Sequence, residues 1–103
     1  MAAARVSPSG DGRNYQAEAD QHLAALTEGL GQSEAALALA TLVNRAATRL
    51  HNVARGEATA RKGTAEWPAW ASLQNAARTL VLHSSTCRDL ARRLAGQASD
   101  RGN

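Results

Sequence analysis

Residues 70–94 read WASLQNAARTLVLHSSTCRDLARRL, and this stretch decides the fold of the chain. Small and apolar residues recur in it at alternating steps of three and four, which is the period of a helix that packs along a second helix. The residues on this predicted stripe are Trp70, Leu73, Ala77, Leu80, Ser84, Cys87, Ala91 and Leu94. The spacing therefore predicts a long helix with a partner helix along one side.

Two further helices are predicted before this one. A first helix begins near Asn14 and ends at Gly29 and Gly31, because glycine is common just after a helix C-terminus. Ser33 is the predicted N-cap of a second helix, which runs to about Arg55. The apolar face predicted for this second helix comprises Leu39, Leu42, Ala46, Leu50 and Val53.

The third helix is predicted over residues 67–94, and Gly96 is expected to end it. Connections as short as those between the three helices favour antiparallel neighbours. The predicted fold class is therefore all-α, with a short N-terminal helix and a long antiparallel helical hairpin that together form a three-helix bundle. We expect one domain over residues 13–96, between a disordered lead at 1–12 and a disordered tail at 97–103.

The composition limits how large a core the chain can build. It contains 24 Ala and 12 Leu but no Ile and no Phe among its 103 residues. Alanine favours helices, yet its burial removes little apolar surface from water. A domain of this size is already marginal, so we expect self-association to complete the fold. The scarcity of β-branched and aromatic residues excludes a strand-based fold.

Several function classes are disfavoured by the residue inventory. No apolar run approaches the ~18 residues that a membrane span needs. Cys87 is the single cysteine, so an internal disulfide is impossible and a reducing cytoplasm is the expected location. The three histidines lack the spacing of metal ligands, and no glycine-rich phosphate loop is present. We expect neither a metal nor a cofactor. The alanine and arginine usage is typical of a high-GC bacterial or phage genome.

Charge is distributed unevenly along the chain. Residues 1–44 carry a net charge of −3 and residues 45–103 a net charge of +6, for a total of +3. An excess of arginine at one end favours an anionic partner, namely a nucleotide, a nucleic acid or an acidic protein surface. The candidate ligand-binding residues are Arg78, Arg88 and Arg92 on the third helix and Arg45, Arg49 and His51 on the second. A solvated helix face, with Asp89 paired to Arg93, is the alternative explanation.

The two tryptophans begin the third helix, one turn apart. Trp67 and Trp70 either cover the end of a bundle of small residues or serve as a docking anchor, since tryptophan is enriched in binding hot spots. The predicted interface residues are these two together with Leu73, Leu80, Cys87 and Leu94. A protein–protein adaptor that docks through Trp67 and Trp70 is therefore one of the functions considered.

One short sequence pattern points to a catalytic function. The sequence Arg78-Thr-Leu-Val-Leu-His83 resembles the R-x4–6-H motif of HEPN-type ribonucleases, which are small helical bundles that pair as dimers. The resemblance implies that Arg78 and His83 converge across the dimer to bind the scissile phosphate and assist attack by the 2′-hydroxyl. The chain departs from the family at Thr79, where a more polar residue is common, and at Ser84, where an aromatic often follows the histidine.

The leading hypothesis is a small non-catalytic helical interaction module. It would self-associate and use its arginine flanks to hold an anionic partner. The ribonuclease is the alternative hypothesis from a different class. On that alternative, replacing His83 with alanine abolishes RNA cleavage, whereas a packing role for His83 predicts a loss of stability.

Overall fold

The computed structural model of the protein describes residues 12–102. Within this range the chain forms three helices and no strand: α1 at Tyr15–Thr27, α2 at Gln32–Ala60 and α3 at Trp67–Gly102. The predicted all-α class, with a short helix before a long hairpin, is confirmed. The predicted lead at 1–12 lies outside the described residues except for Gly12.

Helix α1 begins directly after Asn14, close to the predicted start, and Asn14 is its N-cap. The Asn14 side chain accepts a hydrogen bond from the backbone N–H of Ala17 at 2.9 Å, which satisfies one of the free amides of the first turn. Arg13 forms an ion pair with Glu18 at 2.6 Å, and this contact lowers the pKa of the Glu18 carboxyl, first through the hydrogen bond. After the helix, Gly29 adopts a φ of 77°, a conformation that favours glycine.

The boundaries of α2 differ from the prediction. Gly31 is the N-cap, and Ser33 lies in the first turn of the helix. The helix also continues through Gly56 to Ala60 instead of ending near Arg55. One glycine inside a helix costs about 1 kcal/mol relative to alanine, which is too little to end a helix whose neighbouring positions Ala54 and Ala58 are buried.

Helix α3 also continues past its predicted end. It passes through Gly96 and reaches Gly102, so the backbone of residues 97–102 is helical where a tail was expected. The turn between α2 and α3 is held by Arg61, whose guanidinium binds Glu57 at 2.8 Å and Glu66 at 2.7 Å. Gly63 permits the turn, since its φ is 88°.

Helices α2 and α3 pack as an antiparallel hairpin, and α1 stands apart from it. Within the described residues α1 contacts α2 but not α3, and none of its residues is buried. The radius of gyration is 18.0 Å, against about 13 Å for a compact domain of 100 residues. The long sides of the hairpin are therefore not covered by a third helix.

Candidate functional site

The contact between α2 and α3 is a regular seam of small and polar residues. Its members recur at alternating steps of three and four on both helices, and all are buried or half-buried. On α2 the seam consists of Leu37, Ala40, Asn44, Ala47, His51, Ala54, Ala58 and Arg61. On α3 it consists of Trp70, Gln74, Ala77, Val81, Ser84, Arg88, Ala91 and Ala95. We call these two sets the seam.

The predicted stripe on α3 matches only half of the seam. Trp70, Ala77, Ser84 and Ala91 belong to both. The other predicted row is displaced by one residue, because Gln74, Val81, Arg88 and Ala95 face α2 instead of Leu73, Leu80, Cys87 and Leu94. Alanine on both helices lets the helix axes approach closely, and such a narrow seam has no room for a row of leucines.

A polar cluster lies inside the seam. Asn44 and Ser84 are its buried members, with 6% and 3% of their surfaces exposed. The amide nitrogen of Asn44 donates to the hydroxyls of Ser84 at 3.0 Å and Ser85 at 2.9 Å. The amide oxygen of Asn44 accepts from Nη1 of Arg88 at 2.9 Å. These contacts fix which turn of α3 lies opposite Asn44.

Arg88 therefore has a structural role that its sequence position did not indicate. Its Nε is buried and has no hydrogen-bond partner, since the closest carboxylate oxygen, on Asp89, is 3.7 Å away. Asp89 lies equally far from Arg92, and its expected pairing with Arg93 is not among the ion pairs of the described residues. Arg88 was predicted to bind a ligand, but its guanidinium donates a hydrogen bond to the side chain of Asn44 inside the hairpin.

Beside the seam, one side of the hairpin is apolar. The two helices are antiparallel, and Asn44 of α2 lies opposite Ser84 of α3. In this arrangement the residue directly before each seam residue lies on the same side of the hairpin, whichever helix it belongs to. This apolar side consists of Leu39, Val43, Ala46, Leu50 and Val53 of α2 and Leu73, Ala76, Leu80, Cys87, Leu90 and Leu94 of α3. It contains most of the predicted apolar face of α2 and the predicted interface row of α3.

The apolar side is exposed and carries no formal charge. Leu80 and Leu94 expose 42% and 52% of their surfaces, and Cys87 is exposed as well. Between residues 39 and 53 of α2 and residues 73 and 94 of α3, no Asp, Glu, Lys or Arg occupies this side. His83 is the one histidine on it, and it is exposed. His83 therefore does not pack between α2 and α3.

The opposite side of the hairpin is basic. Besides Leu82 and Asp89, which is 3.7 Å from Arg92, this side carries Arg45 and Arg55 of α2 and Arg78 and Arg92 of α3, and all four arginines are exposed. We call these four residues the basic side. The predicted ligand set is thus divided: Arg49 lies on the outer edge of α2, while His51 is half-buried in the seam.

The two residues of the ribonuclease pattern lie on different sides. Five residues along a helix correspond to a rotation of about 140° about its axis. Arg78 is on the basic side and His83 on the apolar side, so one chain does not bring them together. Among the described residues, no three His, Cys, Asp or Glu side chains are grouped as metal ligands.

The tryptophans occupy the end of the hairpin next to the turn. Trp70 is half-buried at the end of the seam, whereas Trp67 leaves 40% of its surface exposed. No helix in the described range has the length and apolar character to cross a membrane. The chain matches no protein-family model, no curated protein and no solved structure. The function is accordingly inferred from the two sides of the hairpin.

Proposed function

We propose that this protein is a non-catalytic helical interaction module that self-associates and holds an anionic partner on its basic side. The observation that carries the proposal is the separation of the two sides. Leucine and valine occupy one side without charges, whereas the other side carries four arginines against one carboxylate, Asp89, and one exposed leucine, Leu82.

The spacing of the arginines favours an extended anion. Arg78 and Arg92 are fourteen residues apart on α3, which corresponds to about 21 Å along the helix. A mononucleotide is too short to reach both, whereas a nucleic acid strand presents phosphates over that length. Arginine binds phosphate through two parallel hydrogen bonds, and its charge persists at every physiological pH. We therefore favour a nucleic acid over an acidic protein surface.

The test compares two charge reversals of equal size. Arg78→Glu with Arg92→Glu changes the basic side, and Arg49→Glu with Arg93→Glu changes the outer edges of the same helices. Fluorescence anisotropy with labelled single-stranded RNA and DNA, from 20 to 200 mM salt, would report the affinities. We expect the first variant to lose at least tenfold in affinity, on the order of 1.4 kcal/mol, with a shallower salt dependence.

The control variant with changes at Arg49 and Arg93 should retain most of the affinity. Equal losses in both variants would show that net charge, not the basic side, determines binding. A wild-type protein that binds neither strand at the lowest salt would contradict the nucleic-acid assignment. Circular dichroism on both variants would verify that the helices are intact.

The ribonuclease and the tryptophan adaptor receive less support. Arg78 and His83 lie on opposite sides of α3, so a ribonuclease site would join Arg78 of one chain to His83 of another, as the resemblance implies. Trp67 is exposed beside Trp70, but these two rings cover a small area at one end of the hairpin. Docking through the tryptophans leaves the uncharged side that runs along both helices unexplained.

A further inference from the structure

We propose that the apolar side is covered by a second copy of this chain, which packs apolar side against apolar side to form a four-helix assembly with two-fold symmetry. The inference rests on the self-association in the proposed function and identifies the surface and the arrangement. Isologous contacts of this kind pair the same patch of both subunits. The same geometry places the two basic sides on opposite outer faces of the assembly.

The first argument is the unequal burial of large and small apolar residues. The buried apolar residues of the described chain are all alanines, and no large side chain is fully buried. Leu80, Leu90 and Leu94 each leave more than two-fifths of their surface in water. Exposed leucines along a whole helix row are unusual for a monomer, because large apolar patches mark interaction surfaces.

The second argument is size. From Leu73 to Leu94 the apolar side extends about 32 Å along α3. Two adjacent helices are about 20 Å wide, so the side presents roughly 600 Å². A stable protein interface buries about 800 Å² on each partner. The apolar side is therefore large enough for most of a standard interface.

The third argument is charge. A second copy presents an identical uncharged surface, so the two sides meet without a buried ion and without repulsion. Contact through the basic sides would instead oppose Arg78 and Arg92 of two copies. The charge pattern thus selects one side for self-association and leaves the other for a different partner.

The decisive experiment compares two leucine-to-glutamate variants. Leu80→Glu lies on the apolar side, and Leu82→Glu lies two residues away on the opposite side, where Leu82 is 64% exposed. Both positions are exposed in the hairpin, so neither change should unfold it, and circular dichroism would verify this. Sedimentation equilibrium between 1 and 200 µM would give the mass and the dissociation constant.

We expect the wild type to be a dimer, Leu80→Glu to weaken association at least a hundredfold, and Leu82→Glu to stay within about threefold of the wild type. A monomeric wild type over the whole range would contradict self-association itself. An associated wild type whose mass is unchanged by Leu80→Glu would contradict only this surface. Equal weakening by both variants would also overturn the assignment.

Cys87 supplies an independent readout, because it is the single cysteine and lies within the apolar side. Its reaction with a maleimide should be at least tenfold slower in the associated wild type than in Leu80→Glu at the same concentration. Dilution of the wild type below its dissociation constant should restore the fast rate. Equal rates in both proteins would show that the second copy does not cover this side.

Discussion

The seam and the apolar side of the hairpin have nearly opposite compositions. The seam joins α2 to α3 through alanine, serine and asparagine, whereas the apolar side presents leucine and valine to the surroundings. Folding of a single chain therefore buries its small residues and leaves the large ones exposed. The comparison indicates that close helix approach and hydrogen bonding define the hairpin. Leu80, Leu90 and Leu94 keep more than two-fifths of their surface available for burial against another molecule.

Enlarging the seam should have the largest effect. Ala47 and Ala54 expose 1% and 0% of their surfaces, so leucine at either position must separate the helices. We expect Ala47→Leu and Ala54→Leu each to lower the free energy of unfolding by about 1–3 kcal/mol, and more in combination. Urea denaturation followed by circular dichroism would measure it. Ala46→Leu adds the same atoms on the apolar side and should cost little.

If Ala46→Leu lowered the free energy of unfolding as much as Ala54→Leu, the seam and the apolar side would not differ in how tightly they are packed. The three variants should be compared at one protein concentration, because association stabilises the folded form by mass action. At one protein concentration, the difference in the free energy of unfolding between Ala46→Leu and Ala54→Leu measures how much more tightly the seam is packed than the apolar side.

The polar cluster allows a sharper test of the seam. Asn44→Ala removes the amide that binds Arg88, Ser84 and Ser85, and should cost about 1–3 kcal/mol because buried polar groups lose their partners. Arg88→Met in the same background should recover part of the loss, since it removes the unpaired charge. Thermal and urea unfolding of the two single variants and the double variant complete the cycle. Strictly additive losses would contradict a coupling between Asn44 and Arg88.

A smaller effect is expected on the outer edge of α2, away from both regions. Gly56 is helical, and a Cβ at this position would meet no atom within 4 Å. Gly56→Ala should raise the free energy of unfolding by about 0.5–1 kcal/mol without changing association. Gly63→Ala provides the contrast, because a φ of 88° makes alanine unfavourable there. Stabilisation by both substitutions would contradict the assigned turn.

The smallest effect concerns α1, which lies outside the hairpin. The hydrogen bond from Arg13 lowers the pKa of Glu18, so this contact contributes stability above the unfolded pKa and loses it as pH falls through the folded value. Below about pH 4 the first turn of α1 should loosen slightly while α2 and α3 remain. Amide signals of residues 15–18 in an NMR titration would report it. Arg13→Gln should remove the pH dependence, and an unchanged titration would refute the contact.

Periodicity predicted the helices and their pairing because both depend on local spacing. The number and order of the helices, the start of α1 near Asn14 and the glycine after α1 were all evident from the pattern. Gly56 and Gly96 misled the prediction of helix ends, since exposed helical glycines resemble helix stops. Packing of neighbouring alanines outweighs the small cost of each glycine.

The choice of seam residues could not be predicted from hydrophobicity. Alanine occurs at many positions of every helix, so leucine was the clearest indicator of an apolar row. The rows of leucine form the apolar side and not the seam. His51 was predicted to bind a ligand, yet it lies half-buried in the seam beside Asn44. The environment of Asn44 depends on Ser84 and Arg88, which are about 40 residues away in sequence. A single sequence does not encode that pairing in a recognisable motif.

The Arg61 contacts at the turn have a consequence for the order of folding. Arg61 and Glu66 are five residues apart, so their ion pair closes a very short loop. Seam contacts farther from the turn join residues of steadily larger sequence separation, such as the 44 residues between Asn44 and Arg88. Helix pairing should therefore begin at the turn and progress outward, with low contact order and fast folding. φ-values near Glu57 should exceed those near Asn44, and the reverse order would contradict this sequence of events.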